Sequence, residues 1–96
     1  MLARSDGAML PDVRVVLETD DGHPILMTCR GFRHGAPDVM DRLARGRSVE
    51  PSEYYFRIAP WFETGSEKYG WLNRILAVGT GHRLAAGPIY DVYEVL

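Results

Sequence analysis

The side chains with the most chemical content crowd into three neighbouring segments: Glu53-Tyr54-Tyr55-Phe56-Arg57, Trp61-Phe62-Glu63-Thr64-Gly65 and Tyr69-Gly70-Trp71-Leu72-Asn73-Arg74. Side chains on a strand alternate between its two faces, so Tyr55 and Arg57 share one face and Tyr54, Phe56 and Ile58 the other. A phenol beside a guanidinium can hold a carboxylate or enolate oxygen while aromatic rings wall a pocket. The pattern suits a small, partly apolar organic anion. In a proton-transfer reaction Tyr55 would be the acid, Arg57 the anion anchor, and Glu63 or Asp91 the base. The same residues also read without any ligand, with Tyr54, Phe56 and Ile58 as core, Tyr55 half-buried and Arg57 paired with Glu53 or Glu63 at the surface.

The other reactive types make weaker patterns. His23 falls in a turn, His34 before a helix and His82 near a strand end, at spacings unlike those of metal ligands, so no metal site is expected. His34 becomes a base only if the fold carries it to Arg57; otherwise it is a loop residue. Cys29 has no second cysteine to bridge, and its place among apolar neighbours makes it a core thiol rather than a nucleophile. Asp91 shares a face with Ile89, Tyr93 and Val95, so it needs a partner, an arginine salt bridge being favoured over a free lumen acid. Gly79-Thr80-Gly81 lacks the helix and lysine of a phosphate loop, and nothing calls for a cofactor.

Composition narrows the classes. The 96 residues, 46% apolar and 25% charged, suit a single domain spanning 1–96 whose thin core would gain from dimerisation. A net charge of −2 argues against nucleic acid, because Arg42, Arg45 and Arg47 are flanked by Asp38, Asp41 and Glu50. No run of about twenty apolar residues offers a membrane span. The start, Met1-Leu2-Ala3-Arg4-Ser5-Asp6, has no signal-peptide character, which with the lone cysteine points to the cytoplasm.

These residues must be positioned by strands. Val13, Val15 and Leu17 alternate from Pro11 to Thr19; Asp21-Gly22 supplies a tight turn; a second strand runs from Pro24 to Arg30 and is broken by Gly31 to Gly35. Proline at 37, the stripe Val39, Met40, Leu43 and glycine at 46 predict a helix from about Pro37 to Arg45. Further strands are predicted over Ser52 to Trp61, with Pro60 ending it or marking an edge, over Trp71 to Thr80 after a loop from Phe62 to Gly70, and over Pro88 to Leu96 after a turn from Arg83 to Gly87. The sum is a mainly β domain of about five antiparallel strands and one short helix, barrel-like. Ala3 to Ala8 reads as a strand end and a turn, leaving the barrel incomplete at its N-terminal side.

In order, Leu17-Glu18-Thr19-Asp20-Asp21-Gly22, Arg30-Gly31-Phe32-Arg33-His34-Gly35, Pro51-Ser52-Glu53-Tyr54-Tyr55-Phe56-Arg57, Phe62-Glu63-Thr64-Gly65, Tyr69-Gly70-Trp71-Leu72-Asn73-Arg74 and Tyr90-Asp91-Val92-Tyr93-Glu94 resemble the family known as domain of unknown function 3237. The resemblance implies a compact β-barrel with a helix at its mouth, of which this chain is similar to the C-terminal two-thirds. It also implies pocket-lining roles for Tyr54, Tyr55, Arg57, Glu63, Trp71 and Asn73. Two functions stand as expectations. One is a binder, or an isomerase or cyclase, of an anionic, polyketide-like or terpenoid-like ligand. The other is a non-enzymatic module that self-associates through an open sheet edge.

Overall fold

Val13, Val15 and Leu17 alternate with polar neighbours, and in the computed structural model, which describes residues 2–96, that alternation becomes a strand folded back on the next through Asp20-Asp21-Gly22. Gly22 adopts a φ of 85°, the left-handed conformation that a tight turn needs. In chain order the strands are β1 (Leu2–Ala3), β2 (Met9–Leu10), β3 (Asp12–Glu18), β4 (Pro24–Gly35), β5 (Tyr54–Glu63), β6 (Leu76–Leu84) and β7 (Gly87–Val95), with helix α1 (Pro37–Ala44) between β4 and β5. All pairings are antiparallel. β2 and β3 share one edge of β4, and the sheet continues through β5 and β6 to β7. β3 and β7 do not pair, so the barrel-like sheet stays open.

Several boundaries differ from those expected. β4 does not break at Gly31; it runs on to Gly35, in register with β5 from Leu26↔Glu63 to Gly35↔Tyr54. The glycines serve close packing there instead of a bend: a Cβ on Gly31 would strike the Arg57 carbonyl across the ladder. The strand placed over Trp71 to Thr80 begins only at Leu76, because Gly70–Arg74 winds into a 3-10 helix. The segment from Arg83 to Gly87 is not all turn. Arg83 and Leu84 close β6, and Ala85-Ala86 alone joins it to β7. Ala3 pairs with Met9, so the opening segment is a small hairpin on the edge of β4.

β5 continues past Pro60 to Glu63. Odd residues of β4 bond toward β3, as Gly31 N–H to the Pro11 carbonyl does, so the alternation turns the even residues of β5 toward β6. The N–H that Pro60 lacks therefore faces the side from which β6 has already departed, since that ladder ends at Ile58↔Gly79.

The core lies on one face of the sheet. Met27, Cys29, Tyr54, Phe56 and Ile58 join Val39 and Leu43 of α1 and Val49 of the following loop in one buried cluster. Val39 and Leu43 stand one helical turn apart, which is why eight residues suffice to cover that end of the sheet. The α1 loop is tied down by the His82 ring, which donates to the Val49 carbonyl at 3.2 Å.

Candidate ligand-binding site

Every second residue of β4, β5, β6 and β7 points to the concave face, which places Arg33, Tyr54 and Phe56, Gly81 and Arg83, and Tyr90 together. Small residues on β6 make room for large ones on β5. A Cβ on Gly81 would lie 2.8 Å from the Phe56 ring, and one on Gly79 would lie 2.9 Å from Ile58. Phe56 can thus lie across β6, where the Tyr90 ring meets it edge-on at 5.8 Å. The Tyr54 hydroxyl accepts the Arg83 backbone N–H at 2.8 Å and fixes that end of β6.

The result is a trough of about 440 Å³. Pro11, Val13, Val15, Met27 and Phe56 line it with apolar surface, and Arg33, Arg83 and Tyr90 supply its polar groups. The Arg33 guanidinium sits 5.6 Å from the Phe56 ring centre. Burial pulls its pKa down from the ordinary value, and the positive charge of Arg83 pulls it further. The Tyr90 phenol is shifted the other way: burial and then Cys29 raise its pKa, against the opposing pull of the two arginines. Burial likewise holds Cys29, fully enclosed below the trough, as a thiol. Two cations and a protonated phenol on an apolar wall are complementary to an organic anion.

The residues singled out from sequence fall in three places. Tyr54 faces the concave side, buried. Tyr55 and Arg57 share the convex face, with the guanidinium 5.0 Å from the phenol ring centre and its Nη1 donating to the Phe56 carbonyl at 2.9 Å. His34 does reach this pair, stacked on Tyr55 at 4.9 Å. Thr80 and Asp91 continue the row from Arg57 across β6 and β7. Glu63 stands eight residues from Tyr55 on the same strand, about 27 Å away, so the two do not meet over one small ligand. Trp71 is exposed. Asn73 clamps a loop, accepting from Thr64 N–H at 2.8 Å and donating to the Thr64 carbonyl at 2.9 Å.

A second polar cluster joins the β3–β4 turn to the β5–β6 connection. Asp21 accepts from Thr19 Oγ1 at 2.5 Å, from the Tyr69 hydroxyl at 2.9 Å and from Lys68. Ser66 Oγ bonds His23 Nδ1 at 2.8 Å, but the other ring nitrogen lies 3.9 Å from Asp21, beyond hydrogen-bond range. With Asp21 saturated by other donors, serine, histidine and aspartate here staple two loops rather than form a nucleophilic relay. Among the described residues no group of three or more His, Cys, Asp or Glu could hold a metal, and no helix is long and apolar enough to cross a membrane.

Comparison with known proteins matches the chain to a family. The family described as "Protein of unknown function (DUF3237)" matches residues 1–95. A UPF0311 protein of Rhodopseudomonas palustris is 39% identical over 85 residues, covering 88% of this chain and 56% of its own length. A crystal structure of a Rhodopseudomonas palustris protein superposes with a TM-score of 0.93 at 36% identity, over 99% of this chain and 62% of that one. A β-barrel-like protein of Acinetobacter baumannii gives 0.76 at 45% identity, over 97% and 59%. The chain thus spans less than two-thirds of the length of these relatives.

Proposed function

The chain belongs to the DUF3237 family, and from the chemistry of its concave face we propose that it binds a small organic anion with an apolar body. One observation carries the reading: two guanidiniums and a half-buried phenol converge on an apolar trough whose lining residues include no carboxylate. Burial first and the charge of Arg83 second depress the pKa of Arg33, and a ligand anion would offset the repulsion between the two guanidiniums. Tyr90 would donate a hydrogen bond to the same oxygen, and Phe56 with Val13 and Val15 would cover the apolar part. The absence of a carboxylate or imidazole from that lining favours binding over proton abstraction.

The convex row of His34, Tyr55, Arg57 and Asp91 is the competing reading, favoured by the stacked ring and guanidinium, and it would supply an acid and a base. Calorimetric titration with 1-naphthoate and the uncharged 1-naphthamide separates the two. On the concave reading only the carboxylate binds, Arg83→Ala weakens it about tenfold or more, and Arg57→Ala leaves it unchanged. Weakening by Arg57→Ala with Arg83→Ala silent would move the site to the convex face.

A further inference from the structure

The convex face of the sheet, turned away from the trough, is apolar over β6 and β7. Leu76 pairs with Val95, Val78 with Tyr93 and His82 with Ile89, so alternation puts these side chains on the same face as Thr80 and Asp91. Leu76, Val78, Tyr93, Val95, Ile89 and, on β5, Tyr55 are each between 45% and 59% exposed. A strand joined to either edge of the sheet extends it sideways and leaves this face outward. So many large apolar side chains facing water mark a contact surface. With Arg57 and Asp91 among them, the area approaches the roughly 800 Å² per copy that a stable dimer buries.

Two charges stand within this patch. Arg57, Thr80 and Asp91 lie side by side on β5, β6 and β7, which puts Arg57 and Asp91 two strand spacings, about 10 Å, apart. Neither takes part in a salt bridge among the described residues. The Arg57 guanidinium instead rests on the Tyr55 ring and donates to the Phe56 carbonyl. Charges in such a place disfavour a lipid surface, and they select how a second copy can lie. Stacked sheets stand about 10 Å apart with their strands nearly aligned, a gap that an arginine and an aspartate can close from opposite sides. A two-fold axis along β6 sets Arg57 of each copy over Asp91 of the other, Tyr55 over Ile89, and Val78 over Val78. An axis along β5 opposes two Arg57 side chains, and one along β7 opposes two Asp91 carboxylates. An axis across the strands at Val78 sets Asp91 over Val95.

We propose that the convex face of β6 and β7 is an interface between two copies of this chain, packed sheet on sheet about a two-fold axis along β6 and registered by reciprocal Arg57 and Asp91 ion pairs. The apolar side chains around those pairs supply the area, and the charges fix the register. The arrangement uses neither edge of the sheet and needs no ligand, so its test is independent of the trough.

Light scattering after size exclusion, with sedimentation equilibrium on the same 96-residue chain, reads it. A dimer is expected, with Arg57→Asp and Asp91→Arg each weakening association about tenfold or more. The double variant Arg57→Asp with Asp91→Arg, which restores opposite charges in the same register, regains the dimer. Val78→Lys, which sets two ammonium groups against each other on the axis, abolishes it while circular dichroism stays unchanged. Three results would each overturn the proposal. One is a wild-type chain that is monomeric, whether free or bound to phosphatidylcholine vesicles. Another is a dimer indifferent to Val78→Lys, as pairing through a sheet edge would be. The third is a double variant that stays as weak as the singles.

Discussion

Gly81 is small because Phe56 is large and lies across it. A Cβ there would meet three atoms of the Phe56 ring at under 3 Å, so the ring must shift to admit it. Gly81→Ala should destabilise the fold by about 1–3 kcal/mol, seen as a lower urea midpoint with an unchanged slope. It should also tilt Phe56 and reduce naphthoate binding. Arg33 and Arg83 show what single residues concealed in the sequence. Arg33 lies in a stretch whose two glycines resemble a break, and Arg83 in one that resembles a turn, so neither was expected to face an apolar trough. Period-two alternation separates Tyr54 and Phe56 from Tyr55 and Arg57. Which pair faces the concavity depends on the curl of the sheet, and no local spacing encodes that.

At the level of elements, the turn between β3 and β4 is held by the Asp21 carboxylate, which Lys68 first, then Thr19 and Tyr69, keep ionised well below its ordinary value of 3.8. A pKa depressed on folding contributes stability above the unfolded value and loses it as pH falls. Asp21→Asn should therefore lower the melting temperature at neutral pH, and the gap to the wild type should close as both are acidified below about pH 4. A gap independent of pH would assign the effect to something other than charge. The elements themselves were largely legible. β3, the Asp-Gly turn, α1 and β7 follow from alternation, proline and glycine. β4 and the Gly70–Arg74 turn do not, because glycine serves equally for a bend and for close strand approach, and only the partner strand distinguishes them.

Seen whole, the molecule is longer than its mass requires. Its radius of gyration is 14.7 Å, with extents of 45 × 24 × 22 Å, against about 12.5 Å for a compact chain of this length. The excess is the shape of an open sheet with two free edges. Hydrogen exchange should follow that layout. Amides of Thr28, Arg30 and Phe32, bonded to β5 in the middle of the sheet, should exchange slowest, and those of Arg14, Val16 and Glu18 fastest among strand residues in dilute solution. Uniform exchange across both groups would contradict the ladder assignments.

The trough is bounded along its length by β3 on one side and by β7 on the other, and those are the two strands that do not meet. A closed barrel admits a molecule through its mouth and must contain it whole. Among the described residues the flank between β3 and β7 is open, so on the proposed reading Arg33 and Arg83 would hold the anionic end of a ligand while its apolar body lies along that flank.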